Sequence, residues 1–382
     1  MVKACLSKKK DQQRTEQLTK LICQKIIKAG PLSFAAYMQL VLYHPTLGYY
    51  SQLQQLGASG DFVTAPEIST LFGQCLAQQI SSILEVCDEP NILEFGAGSG
   101  QLAIDILMAL RDRDSCLNHY FILELSSSLK QIQQHNLKKY LPDFYDRIIW
   151  LDRLPTSFSG IMIANEVLDA MPVHRFCVEN TGVFAYAVDA LKDQLTEILI
   201  PADRDLIHAM NNRKINCLPP YSTEISLLIP AWIASLANCL RSGMVFLIDY
   251  GFPKSVYYHP ERSMGTLMCH YQHRAHTDPY FLPGRQDITA YVDFTTVAEA
   301  AIMNGLELSG YTTQAHFLLN CGLMTLAQSQ QQTAETMWMT SQAIKRLILP
   351  TEMGERFKVM ALSKGLALPL MGFTSGDQRH FL

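Results

Sequence analysis

The run Glu94-Phe95-Gly96-Ala97-Gly98-Ser99-Gly100 sets an acid ahead of three glycines at alternate positions, directly after a short apolar stretch. Glycines here let the backbone approach a ligand and turn into a helix whose N-terminal N–H groups face it. A dinucleotide fingerprint spaces its glycines G-x-G-x-x-G, whereas this loop reads G-x-G-x-G. That spacing favours S-adenosylmethionine over a nicotinamide cofactor, because its amino-acid end needs close backbone contact and an acid for its ammonium rather than a pyrophosphate cradle. An ordinary tight turn would use the same glycines. Glu124 lies 24 residues beyond Gly100, at the end of the next apolar run. A carboxylate there can accept hydrogen bonds from both hydroxyls of a ribose; a solvated strand-end acid is the alternative.

Two further groupings carry reactive side chains. In Ala164-Asn165-Glu166-Val167-Leu168-Asp169-Ala170-Met171-Pro172, Asn165 and Glu166 offer a carbonyl acceptor and a carboxylate. They can orient an N–H nucleophile and take part in its proton loss. Asp169 shares that face if Glu166 opens a helical turn, although helix capping would also explain Asn165 or Asp169. The second grouping, Cys269-His270-Tyr271-Gln272-His273-Arg274-Ala275-His276, spaces its histidines by three. This matches no standard zinc pattern, so we expect no metal and a hydrogen-bonded loop that covers the substrate.

From Asn91 onward the pattern alternates strand, loop and helix. Strands are expected at Asn91–Phe95, His119–Leu125, Arg147–Leu151, Ser159–Ala164, Met244–Asp249 and Phe357–Leu362. Helices are expected at Gln101–Arg111, Ser128–Tyr140, Ala231–Leu240, Phe294–Asn304 and Gln314–Gln328. This is the βαβ signature of a parallel sheet covered on both faces. Right-handed crossovers put every strand's C-terminal end, and with them Gly96, Glu124 and Glu166, on one edge. Before Asn91 the chain reads as helical. One helix carries Leu18, Leu21, Ile22 and Ile26 on a face, with Asp11 able to cap its start and Gly30-Pro31 stopping it. A second is capped by Ser33 and runs to Tyr43, and a third spans Ile68–Val86. The stretches Phe176–Tyr221 and Gly251–Gln286 break the alternation and read as insertions.

The 382 residues allow one large α/β domain with insertions or two ordinary domains. With 31 basic and 35 acidic side chains the net charge is −4, which argues against general affinity for nucleic acid. Met1–Lys28 holds eight of the basic residues and two of the acidic ones, so the remainder is acidic and prefers basic partners. That opening segment lacks a continuous apolar core and does not read as a secretory signal; an amphipathic transit peptide is the alternative. No uninterrupted apolar run reaches membrane-spanning length, so no membrane partner is expected. The ten cysteines include no Cys-x-x-Cys, consistent with reduced thiols in a cytoplasmic setting.

Taken together, GPLSFAAYMQLVLYHPTLGYY (30–50), GDFVTAPEIS (60–69), LEFGAGSGQLA (93–103), ILELS (122–126), NEVLDAMPV (165–173), IDYGF (248–252), GTLMCHYQHRAHTDP (265–279), GRQDITAYVDF (284–294) and EMGERFKVMAL (352–362) resemble the MidA family over about Gly30–Gly365. This is the bacterial branch of the family that contains the mitochondrial complex I assembly arginine methyltransferase. The resemblance implies an α/β fold of the class I methyltransferase, Rossmann-like type: a seven-stranded sheet with an N-terminal helical portion and insertions. It divides the chain into residues 1–88, helical with a covering loop, and 89–382, the methyltransferase core with insertions at about 177–225 and 251–290. It makes Glu94, Gly96, Gly98, Gly100 and Glu124 contacts of S-adenosyl-L-methionine. The 60–67 loop, with Asp61 and Thr64, would fold over the cofactor or the substrate entrance. An acceptor arginine on a partner protein would meet Glu166, Asn165 and Asp169, in the cytoplasm or, in a eukaryote, the mitochondrial matrix. Methylation of another protein or small-molecule nitrogen, and a cofactor-binding assembly factor with little catalysis, are the other readings.

Overall fold

The computed structural model describes residues 2–52, 63–113, 115–192, 194–329 and 333–382, with side chains in the first helix from residue 12 on. That helix, α1 (Val2–Ala29), begins well ahead of Asp11, which therefore does not cap it. The residues before Asp11 include four lysines, Ala4 and Leu6, which are good helix formers and extend it. Its apolar face buries Leu18, Ile22 and Ile26 against Phe34, Tyr37 and Met38 of α2 (Phe34–Tyr43), with Leu21 half-buried beside them. Ser33 caps α2 by accepting from the Ala36 N–H at 3.2 Å. The expected single helix from Ile68 to Val86 is instead a short turn, Ala65–Ile68, followed by α3 (Thr70–Leu84). Ser69 separates them in extended backbone, its Oγ accepting from the Leu71 N–H at 3.2 Å. A serine able to cap interrupts a pattern that periodicity alone would continue.

Seven strands form the central sheet: β1 (Ile92–Phe95), β2 (Tyr120–Leu123), β3 (Ile148–Leu151), β4 (Phe158–Asn165), β5 (Leu240–Phe252), β6 (Glu307–Thr313) and β7 (Phe357–Lys364). Their spatial order is β6-β7-β5-β4-β1-β2-β3, with the short Val292–Asp293 strand added beside the end of β5. The first five run parallel, and β7 is antiparallel to both β5 and β6. Successive residues of β4 face opposite cores. Ile161 and Ile163 join α3 and α4 (Gln101–Arg111), while Met162 and Ala164 join α6 (Leu228–Cys239) and α7 (Phe294–Met303). Helix α5 (Ser127–Tyr140) follows β2. Burial on both faces explains why these strands read as apolar runs without alternation.

Several elements went unread in the sequence. β6 carries Ser309 and Gly310 at a register irregularity opposite β7, which breaks its pattern. The helix expected over Gln314–Gln328 divides into Gln314–Asn320 and Leu323–Ser329 around Gly322, whose φ of +80° no helix accommodates, and a further helix covers Ala334–Ile348. The insertion from Phe176, whose sequence reads as short strand-like pieces between polar stretches, is an antiparallel sheet of His174–Glu179, Gly182–Leu191, Gln194–Pro201 and Tyr221–Ile225, joined by Leu32–Ser33. The second stretch, Gly251–Gln286, holds two short strands, Met268–Tyr271 and Arg274–His276, which pair with a third, Asp287–Thr289, just beyond it. No helix among the described residues is long and apolar enough to cross a membrane.

Candidate active site

Register brings the chemistry-bearing residues to one level. Phe95 pairs with Leu123 on one side and Ala164 on the other, and Ala164 pairs with Leu247. Gly96, Glu124 and Asn165 are the next residue on each of three neighbouring strands, and Asp249 lies two beyond Leu247. The chain reverses its order of strands between β1 and β4, so the crevice opens at this row.

On the β1–β2 side the chain turns through Gly96, Gly98 and Gly100 at φ of +62°, +56° and +85°, backbone that side chains with a Cβ rarely adopt. Gln133 of α5 locks this loop to Glu124. Its Nε2 donates to the Gly98 carbonyl at 3.0 Å and to Glu124 Oε2 at 2.9 Å, and its Oε1 accepts from the Trp150 indole at 3.1 Å. Glu124 Oε1 takes the Ser126 N–H at 2.8 Å. Burial nevertheless raises the Glu124 carboxyl above the ordinary range. Glu94 is buried and accepts from the Tyr120 hydroxyl at 2.8 Å; burial, with Glu124 adding like charge, pushes it up to about 7. Thr64 lines the same cavity at the start of the short turn, its carbonyl accepting from the N–H groups of Glu67 and Ile68, and Glu67 receives the Ser99 hydroxyl. Asp61 lies outside the described residues.

Beyond β4 the site is more acidic. Glu166 sits at φ +55°, in the left-handed region that a non-glycine residue enters at a cost of roughly 1–2 kcal/mol, and is held there by its N–H donating to the Ile248 carbonyl at 2.9 Å. Asn165 donates to Glu166 Oε1 at 3.3 Å. Burial, and next the charge of Asp169, raise Glu166 to about 8 against hydrogen bonds from Asn165 and the Ala65 backbone. Asp169 receives the Tyr250 hydroxyl on Oδ2 and is raised to about 6, chiefly by burial. The turn through 167–169 is capped by a residue not singled out from the sequence. Asp249 Oδ2 accepts from the N–H groups of Val167, Leu168 and Asp169 at 2.9–3.2 Å. With that role taken by Asp249, Asn165 Oδ1 and Asp169 Oδ1 remain buried with no hydrogen-bond partner among the described residues.

Both halves open into one cavity of about 860 Å³. Six carboxylates line it, those of Glu67, Glu94, Glu124, Glu166, Asp169 and Asp287, against one guanidinium, Arg356, among the described residues. Asp287 comes from the short appended sheet and accepts from the Tyr50 hydroxyl at 2.8 Å. Of the three spaced histidines only His270 lines the cavity; His273 stands exposed at the hairpin tip and His276 pairs across the hairpin with Cys269. No group of three potential metal ligands occurs among the described residues. Sequence reasoning missed Gln133, Asp249, Tyr250 and Asp287 as site residues. Asp249 and Tyr250 had a usable signal, the C-terminal end of an expected strand on the ligand edge, whereas Gln133 is mid-helix and Asp287 follows a stretch with no clear periodicity.

Residues 75–312, more than half of the chain, match the pattern that defines the S-adenosyl-L-methionine-dependent methyltransferase family Methyltransf_28. A solved COG1565 superfamily structure from Burkholderia thailandensis, bound to S-adenosyl-homocysteine, is 39% identical, superimposes with a TM-score of 0.94 and is covered over 98% of both chains. Among curated relatives, the mitochondrial protein arginine methyltransferase NDUFAF7 of Danio rerio is 28% identical over 94% of this chain and 92% of its own length. Its Homo sapiens counterpart is 29% identical over 88% of this chain and 81% of its own. The chain therefore belongs to this family of S-adenosyl-L-methionine-dependent methyltransferases, the MidA type that its motifs resemble, with the class I α/β fold and S-adenosyl-L-methionine as cofactor.

Proposed function

We propose that the enzyme methylates an arginine nitrogen of a partner protein. The observation that carries this is the acidic half of the cavity, where Glu166 and Asp169 lie beside buried oxygens of Asn165 and Asp169 that have no donor among the described residues. Buried acceptors left unpaired are costly. A guanidinium satisfies them with up to five N–H donors and no acceptor of its own. The naming of the curated relatives as protein arginine methyltransferases supports the same class of acceptor.

The cofactor-side residues fit S-adenosyl-L-methionine. The glycine loop leaves room for close backbone approach, Glu94 is a buried carboxyl that a nearby ammonium would ionise, and Glu124 is a fixed acceptor for ribose hydroxyls. When bound, the cofactor supplies a methyl group activated by positive sulfur. The chain's own contribution is then largely positioning. Glu166 is held high by burial in the free site, and a guanidinium beside it would draw it back to the ionised form. The acceptor nitrogen would shed one proton as it takes the methyl released from sulfur, and we assign the receipt of that proton to Glu166. Arginine need not be deprotonated beforehand, since the proton leaves as the nitrogen is alkylated.

The test is to incubate purified protein with labelled S-adenosyl-L-methionine and a cell extract, then locate the label by mass spectrometry. Methyl on an arginine nitrogen is the expected result. Methyl on lysine, glutamine or a hydroxyl overturns the arginine reading.

A further inference from the structure

We infer that Asp287, with Tyr50 beside it, forms the second wall of the acceptor pocket and holds the edge of the target guanidinium opposite to Glu166. This rests on the arginine reading above and adds a recognition residue from outside the methyltransferase sheet.

Asp287 is 3% exposed yet contributes to the cavity shared with Glu166 and Asp169. It opens the Asp287–Thr289 strand, where it pairs with His270, another lining residue. Tyr50 donates to its Oδ1 at 2.8 Å, and the Tyr50 ring lies 5.3 Å from that of Tyr43. The same arrangement recurs on a different element of the lining, with Tyr250 donating to Asp169. Two carboxylates, each steadied by a tyrosine hydroxyl and carried by separate layers, suit a flat cation with donors on more than one edge. An ammonium is a compact point charge that one carboxylate can satisfy, whereas the guanidinium fork is matched by acceptors on separated edges, and tyrosine faces add attraction for it. The charge count agrees. The cavity lining is acid-rich even before Asp287 is included.

Asp287→Asn and Tyr50→Phe separate recognition from simple packing. The first keeps an acceptor for Tyr50 and removes the charge; the second keeps the charge and removes the hydrogen bond. With saturating labelled S-adenosyl-L-methionine, initial methyl incorporation is read over a dilution series of cell extract, and affinity for S-adenosyl-homocysteine by calorimetry. Asp287→Asn should raise the half-saturating extract concentration by about tenfold or more, with the calorimetric affinity unchanged, and Tyr50→Phe should raise it less. Wild-type saturation in Asp287→Asn while the methyl maps to arginine overturns the inference and leaves the arginine reading standing. A Tyr50→Phe defect equal to or larger than that of Asp287→Asn also overturns it, by showing that the pair only fastens the fold; should Asp287→Asn not fold, a Tyr50→Phe enzyme with wild-type saturation does the same. A methyl on another atom overturns the arginine reading itself, and this inference with it.

Discussion

The two halves of the cavity are built on opposite principles. On the β1–β2 side the polar groups are tied down: both oxygens of Glu124 have donors, Glu94 has a tyrosine hydroxyl, and Gln133 fastens the glycine loop to Glu124 and Trp150. On the β4–β5 side three carboxylates, Glu166, Asp169 and Asp249, crowd one turn, Glu166 sits in left-handed backbone, and two buried oxygens are unpaired among the described residues. A saturated network suits the parts of a ligand that do not react, here an amino-acid end and a ribose. An unsaturated, strained cluster of like charges stores a preference for a cation that arrives and leaves. On the proposed reading, preorganisation on one side serves the unreacting parts of the cofactor, and electrostatic demand on the other serves a positive acceptor.

The sharpest break in that comparison is Glu166→Gln. It keeps size and one acceptor but removes the charge, so methyl transfer should fall by on the order of a hundredfold, the equivalent of about 3 kcal/mol, while cofactor affinity stays near normal. Rates on extract acceptors beside calorimetry with S-adenosyl-L-methionine check it. Full activity would remove Glu166 from the mechanism and leave the demand to Asp169 and Asp287.

Next in size come changes to the saturated half. Gly98→Val places a branched residue at φ +56°, and Glu124→Ala removes a charged acceptor. Each should weaken S-adenosyl-L-methionine binding by about 1.5–3 kcal/mol. Unchanged calorimetric affinity in both folded variants would sink the assignment of this loop to the cofactor. Gln133→Leu strips the bridge between them without touching either residue; we expect a loss of about 1 kcal/mol in cofactor affinity, and a wild-type value would mean that the glycine loop holds its shape alone.

How much of this was readable depended on whether the signal was local. The glycine loop and Glu124 follow apolar strands in sequence, so their types and spacing announced both the turn and the edge they occupy. Glu166 was legible for the same reason. Asp249 stood at the end of an expected strand, but its hydrogen bonds to 167–169 join residues some eighty positions apart, and no local pattern encodes them. Asp287 depends on the pairing of short strands across a hairpin, where runs of three or four residues are too brief for alternation to register. β6 was hidden by its own irregularity at Ser309 and Gly310. Local pattern reports burial along a run of residues, and it fails where an element is short, bent or interrupted.

The smallest expected effect concerns pH, and it sharpens the contrast because it is centred on the unsaturated half. Burial raises Glu166 to about 8 and Asp169 to about 6, and Glu94 on the other side to about 7. In the unfolded chain these groups release their protons near pH 4. Between about pH 4 and 8 the folded protein without ligands therefore binds more protons than the unfolded chain, and linkage makes stability fall as pH rises through that window and level off above it. Thermal unfolding of the ligand-free protein should show a midpoint a few degrees lower at pH 8.5 than at pH 6. Glu166→Gln carries no proton to lose, so its midpoint should fall less over the same range, whereas Glu124→Ala, which alters the tied-down side, should keep more of the wild-type slope. A midpoint that rises from pH 6 to pH 8.5 in the wild type, or a slope unaffected by Glu166→Gln, would mean that the carboxylates beyond β4 are already paired in the free protein, and the division between a saturated and an unsaturated half would have to be abandoned.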